Sequence, residues 1–150
     1  MTQNNLGTAY SDRIRGERAD NLERAIDAYQ AALQVRTREA FPQDWAMTQN
    51  NLGTAYGDRI RGERADNLER AIDAFQAALQ VLTRETLPEE WANTQGELVA
   101  ALLERFKFTG ETSDLDDAIT SLQEAGEVAI PRTDSHIFIH YTLGIALDYR

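Results

Sequence analysis

Two side-chain amides stand at matched places in the chain and are the residues best suited to recognition chemistry. They are Asn5 and Asn51, each preceded by another asparagine, Asn4 and Asn50. A carboxamide accepts through its oxygen and donates through its NH2. One such group can therefore serve both polar groups of an extended peptide backbone. Met47, Asn51, Thr54 and Asp58 follow steps of 4, 3 and 4, which puts them on one face of a helix. Met1, Asn5, Thr8 and Asp12 repeat that face. Asn93, Glu97, Ala100 and Glu104 repeat it again, with a carboxylate in place of the amide. The alternative use of Asn4, Asn5, Asn50 and Asn51 is to tie neighbouring helices or to face water.

Other chemistries have less to stand on. His136 and His140 share a helix face at a spacing that can hold a metal, but no third ligand accompanies them. Two surface or packing histidines are the expectation, and no metal. Arg15, Arg18, Arg61 and Arg64 could hold an anion, yet Glu17, Asp20, Glu63 and Asp66 interleave with them and are the expected partners. Trp45 and Trp91 are expected to pack between repeats rather than to stack on a ligand. The chain has no nucleophile–base–acid constellation and no glycine-rich phosphate loop. Neither an enzyme nor a cofactor is expected.

Composition narrows the partners. The net charge is −10, and residues 93–150 carry −6 of it, with ten acids and four bases. A phosphate backbone needs clustered Lys and Arg. Here the arginines alternate with acids, as in Asp58-Arg59-Ile60-Arg61-Gly62-Glu63-Arg64. Nucleic acid is therefore not an expected partner. No apolar run approaches the ~18 residues that span a bilayer, so no membrane partner is expected either. The chain has no cysteine, hence no disulfide or thiolate site. It starts with the polar Met1-Thr-Gln-Asn-Asn rather than a basic and apolar leader. A cytoplasmic setting is the expectation.

The recurrence of the amides reflects a repeat. Residues 47–92 restate residues 1–46 with seven differences: Ser11/Gly57, Tyr29/Phe75, Arg36/Leu82, Ala40/Thr86, Phe41/Leu87, Gln43/Glu89 and Asp44/Glu90. A third, diverged copy covers 93–133, and a partial fourth covers 134–150. A period in this range points to a solenoid, in which each unit packs on its neighbours.

Each unit reads as two helices. In the second, helix A spans about 43–60, entered through Pro42, with Trp45, Leu52, Ala55, Tyr56 and Ile60 at helical spacing. Gly62 is expected to cap it, and Asp66-Asn67-Leu68-Glu69 reads as a capping box. Helix B spans about 67–84, with Leu68, Ile72, Phe75, Leu79 and Leu82 on one face. In the third unit Gly110, Ser113 and Asp116 would rebuild the cap. The segment after Pro131 reads as a helix A without its B, apolar nearly all round. The expected architecture is all-α, with about seven helices in three repeats plus a final unpaired helix. Both ends fall inside a repeat. This points to a piece of a longer array, or to terminal helices that associate with another copy.

Leu52-Gly53, Ala55-Tyr56, Ala71, Phe75, Ala78 and Pro88 resemble the tetratricopeptide repeat. Leu6-Gly7, Ala9-Tyr10, Ala25, Tyr29, Ala32 and Pro42 repeat the pattern, and Leu98, Ala101, Ala118, Leu122, Ala125 and Pro131 follow it more loosely. The family's usual period is 34 residues and here it is 46. The longer period resembles the repeats of kinesin light chain. It is also similar to repeats in bacterial, especially cyanobacterial, proteins that carry a CHAT-type protease domain or a signalling ATPase. The resemblance implies a right-handed α-solenoid whose helices A line a concave groove for a peptide or partner domain. The groove residues it implies are Asn5, Thr8, Asp12, Met47, Asn50, Asn51, Thr54, Asp58, Asn93 and Glu97. Family members that capture a C-terminal carboxylate place Lys and Arg where this chain has Asn93 and Glu97. A peptide with basic or neutral side chains at that end is the expectation instead.

Overall fold

A computed structural model describes residues 3–11, 13 and 16–126. Those residues form six α-helices and no strand: α1 (Gln3–Ser11), α2 (Arg18–Val35), α3 (Pro42–Asp58), α4 (Arg64–Leu79), α5 (Pro88–Thr109) and α6 (Thr112–Gly126). The expected seventh helix, with His136 and His140, lies outside the described residues. Two compact units divide at Val81 and Leu82. The first holds α1–α4 and the second α5–α6.

In the first unit α1 packs on α2 and α3 on α4, each pair forming a hairpin. The two hairpins stack mainly through α2 against α3, with α1 also touching α3. In the second unit α5 packs on α6. The architecture is thus the expected all-α stack of helix pairs.

Pro42 and Pro88 open α3 and α5 at the position where a missing N–H costs nothing. The apolar stripes then face inward. Leu22, Ile26 and Tyr29 of α2 are buried, as are Leu68, Ile72 and Phe75 of α4 and Leu115, Ile119 and Leu122 of α6. Alanines at 25, 32, 71, 78, 118 and 125 are also buried, which lets neighbouring helices approach closely.

The closest approach within a hairpin is made by glycine. A Cβ on Gly53 would stand 2.7 Å from the Phe75 ring, and one on Gly7 would stand 2.5 Å from the Tyr29 ring. The third repeat has Val99 and Leu122 at the corresponding places, both buried. A small residue facing an aromatic has become two residues of middle size, so total volume is roughly kept.

The caps differ from the sequence expectation. Helix α4 starts at Arg64, with Glu63 at its N-cap and no side-chain cap bond. Asp66 lies inside the first turn, where its negative charge is attracted to the positive end of the helix dipole. Asp66-Asn67-Leu68-Glu69 therefore forms no capping box, because Asp66 is not the N-cap. Gly62 has φ +83° but does not close α3, which ends at Asp58. What organises this loop is Asn67. It is buried, and its Nδ2 donates to the Arg61 carbonyl at 2.8 Å. Asn21, at the same place in the first repeat, is buried and reaches the Arg13 carbonyl at 3.5 Å. In the third repeat Gly110 does close its helix, with φ +71°. There α6 already begins at Thr112, so Ser113 and Asp116 lie inside it and rebuild no cap.

Candidate functional site

Helix α3 buries Ala46, Thr48, Leu52, Ala55 and Tyr56. That burial fixes the helix's rotation and decides what remains outside. Met47 and Asp58 are exposed, while Asn50, Asn51 and Thr54 are half-buried. On α1, Asn5 and Thr8 are exposed. Asp12 lies outside the described residues. In the second unit α5 exposes Asn93 and Glu97.

The α1 and α3 faces are joined by an asparagine. Asn4 Oδ1 accepts from Thr48 Oγ1 at 2.9 Å and from Asn51 Nδ2 at 3.4 Å. Asn51 is therefore partly engaged in tying two repeats together, through a bond at the long end of the useful range. Thr48 is fully buried and also donates to the Asp44 carbonyl at 2.8 Å. The threonines of the face turn back on their own helices. Thr54 Oγ1 donates to the Asn50 carbonyl and Thr8 Oγ1 to the Asn4 carbonyl, both at 3.2 Å. Thr8 also accepts from Tyr29 Oη at 3.2 Å. The second repeat has Phe75 at the corresponding place and so lacks that bond. Asp58 is 3.6 Å from Arg18 Nη2 in an exposed ion pair.

Of the loop arginines, Arg18 and Arg61 pair with acids of the neighbouring repeat, Arg64 Nη1 donates to the Gly57 carbonyl, and Arg15 lies outside the described residues. Arg61 pairs with Asp20, and Arg59 grips Glu23 with Nε–Oε1 at 2.7 Å and Nη2–Oε2 at 2.9 Å. Arg59 Nη1 also donates to Asn67 Oδ1 at 3.3 Å. The Arg59 guanidinium lowers the Glu23 pKa from its ordinary value through these hydrogen bonds, and burial opposes the shift. The same bonds raise the Arg59 pKa. Tyr56 completes this seam. Its Oη accepts from Gln30 Nε2 at 2.9 Å, and the guanidinium groups of Arg59 and Arg70 lie 5.9 and 5.6 Å from its ring centre.

Sequence reasoning missed this seam because Arg59 and Glu23 are 36 residues apart. The signal was present in the repeat itself. An arginine recurs at 13, 59 and 105, and an acid at 23, 69 and 116. Trp45 is half-buried, with the Arg38 guanidinium 5.7 Å from its ring centre. Among the described residues no group of three His, Asp or Glu side chains could hold a metal ion, and no helix is long and apolar enough to cross a membrane.

Stacked helical hairpins with an amide-bearing outer face define a helical-repeat protein. A tetratricopeptide-repeat family model matches residues 1–39 and 45–87, more than half of the chain, and the chain belongs to that family. The matches end before α5 begins. No curated protein matches the chain. Tetratricopeptide repeats are in general scaffolds for protein interaction.

Proposed function

We propose that the α1–α3 face is a docking surface for an extended peptide or a partner domain, and that the chain acts as a cytoplasmic scaffold rather than a catalyst. The carrying observation is the Asn51 amide. It is half-buried on the outer face of α3, its Nδ2 3.4 Å from Asn4 Oδ1, with exposed Met47 one turn before it. A peptide backbone carbonyl can displace so long a bond at little cost, while Met47 offers an adaptable apolar contact. Asn5 and Thr8 extend the same polar edge on α1. Asn50 and Thr54 form its half-buried floor, and Asp58 gives it an acidic end. In the second unit, Asn93 and Glu97 are the equivalent residues on α5.

The test is selection of a binder from a random-peptide library, followed by calorimetry. Replacing Asn5 and Asn51 together by Ala removes two backbone-directed contacts worth ~1 kcal/mol each, so Kd should rise by about tenfold or more. Thr48→Ala serves as control, because it loosens the tie to Asn4 without altering Asn5 or Asn51. Unchanged affinity in the double variant, or equal loss in the control, would sink the reading.

A further inference from the structure

The matched faces of α1 and α3 differ in how their threonines are served. Thr8 and Thr54 each donate the hydroxyl proton to the carbonyl four residues back, both at 3.2 Å. With the proton committed, what each oxygen still offers is acceptance. The first repeat shows that a threonine in this state does accept. The Tyr29 hydroxyl donates to Thr8 Oγ1 at 3.2 Å.

In the second repeat that donor is missing. Phe75 lies against Gly53 as Tyr29 lies against Gly7. A Cβ on each glycine would stand 3.0 Å from Phe75 Cζ and 2.9 Å from Tyr29 Cζ. The rings are matched in place, and what the second repeat lacks is the phenolic oxygen. Thr54 is half-buried, and among the described residues nothing donates to its Oγ1. One turn before it stands the half-buried Asn51, whose Nδ2 reaches Asn4 Oδ1 at 3.4 Å. Helix α3 thus carries a donor and an acceptor at i and i+3, where side chains are neighbours on the helix surface. On α5 the corresponding places hold Glu97 and Ala100, and on α1 the threonine is already served.

We infer, resting on the docking surface proposed above, that Asn51 and Thr54 together hold one residue of an extended peptide. Asn51 donates to its carbonyl and Thr54 accepts its N–H. In an extended chain the N–H and C=O of one residue leave along the same edge, which suits two side chains on one helix face. Thr54 thereby sets the peptide's register and excludes proline from that place, because proline has no N–H to give.

The probe is the peptide selected from the random library, remade with each backbone nitrogen methylated in turn. Calorimetry with the full chain should find a methylated position that raises Kd about fivefold or more, the loss of one neutral hydrogen bond. Thr54→Val removes the acceptor at nearly the same shape and should raise Kd for the parent peptide by a similar factor. Against the peptide methylated at that position it should cost nothing further, whereas a merely structural effect would weaken both peptides equally. Thr54→Ser keeps the acceptor and should bind within about twofold of the native chain. Losses that simply multiply overturn the inference. So does a Thr54→Val chain that binds as the native one does, or a Thr54→Ser chain that loses as much as Thr54→Val. The Asn5 and Asn51 double variant separates this contact from the surface that carries it. Affinity lost there but kept in Thr54→Val removes the Thr54 contact alone, and affinity kept in both removes the docking surface with it.

Discussion

Gly53 and Phe75 show how one hairpin depends on a missing methyl group. Any side chain at position 53 meets the ring at 2.7 Å, and Phe75 is itself fully buried, which leaves the ring little room to move away. Gly53→Ala should therefore destabilise the chain by ~1–3 kcal/mol despite the better helix propensity of alanine. The third repeat supplies its own control. Gly53→Val combined with Phe75→Leu copies Val99 and Leu122, and should recover most of what Gly53→Val alone loses in a urea titration. A double variant no better than the sum of its singles would show that the two positions do not compensate. Glu23 offers a second test, read by pH. Its pKa lies below the ordinary 4.5 because Arg59 binds the charged form. Its contribution is thus fully present above the unfolded value and is lost as pH falls through the folded value. The pair is about a quarter exposed, so about 0.5–1 kcal/mol is at stake. Thermal melts of Glu23→Gln should lie below those of the native chain at neutral pH and converge with them as pH falls through the lowered folded value of Glu23. A gap that persists below that value would show that the difference is not electrostatic.

At the scale of the element, what the sequence made legible was periodicity, and what it hid was the identity of the caps. Steps of four and three through Leu68, Ile72 and Phe75 placed α4 correctly, because burial of a stripe is decided locally along one helix. The start of α4 was misplaced by three residues. Asp66 has the right type for a cap, but the helix gains more by beginning at Arg64 and letting buried Asn67 hold the incoming loop. A buried amide and an exposed one look alike in a sequence. The same ambiguity affects the candidate site: the sequence leaves both uses of Asn51 open, outward recognition and a tie between helices, and its bond to Asn4, 47 residues away, depends on how two hairpins stack. Both loop features can be weighed. Asn67→Ala leaves the Arg61 carbonyl without its buried donor and should cost ~1–3 kcal/mol. Gly62→Ala must hold φ +83° with a side chain and should cost ~1–2 kcal/mol. If Asn67→Ala melts like the native protein, the loop is organised by something other than this amide.

At the scale of the whole molecule, repeats confine the consequences of damage. Each hairpin of a repeat array is stabilised by its own packing and by its immediate neighbour, so stability behaves as a chain of local terms rather than one global quantity. The first unit shows both terms, the Gly53–Phe75 contact within a hairpin and the Arg59–Glu23 and Asn4–Thr48 bonds between hairpins. Phe75→Ala opens a cavity at the centre of the α3–α4 hairpin and should cost ~3–5 kcal/mol of its local stability. Amide hydrogen exchange followed by mass spectrometry resolves where that loss is felt. Exchange should accelerate together in α3 and α4, because they share the cavity. It should accelerate next in α1 and α2, which rest on α3 through the seam. Amides of α5 and α6 should change less than those of α3 and α4, since Leu98, Leu102, Leu115, Ile119 and Leu122 are buried within the α5–α6 unit. Equal acceleration in all six helices would mean that the array opens as a single cooperative body, and the local account of its stability would fail.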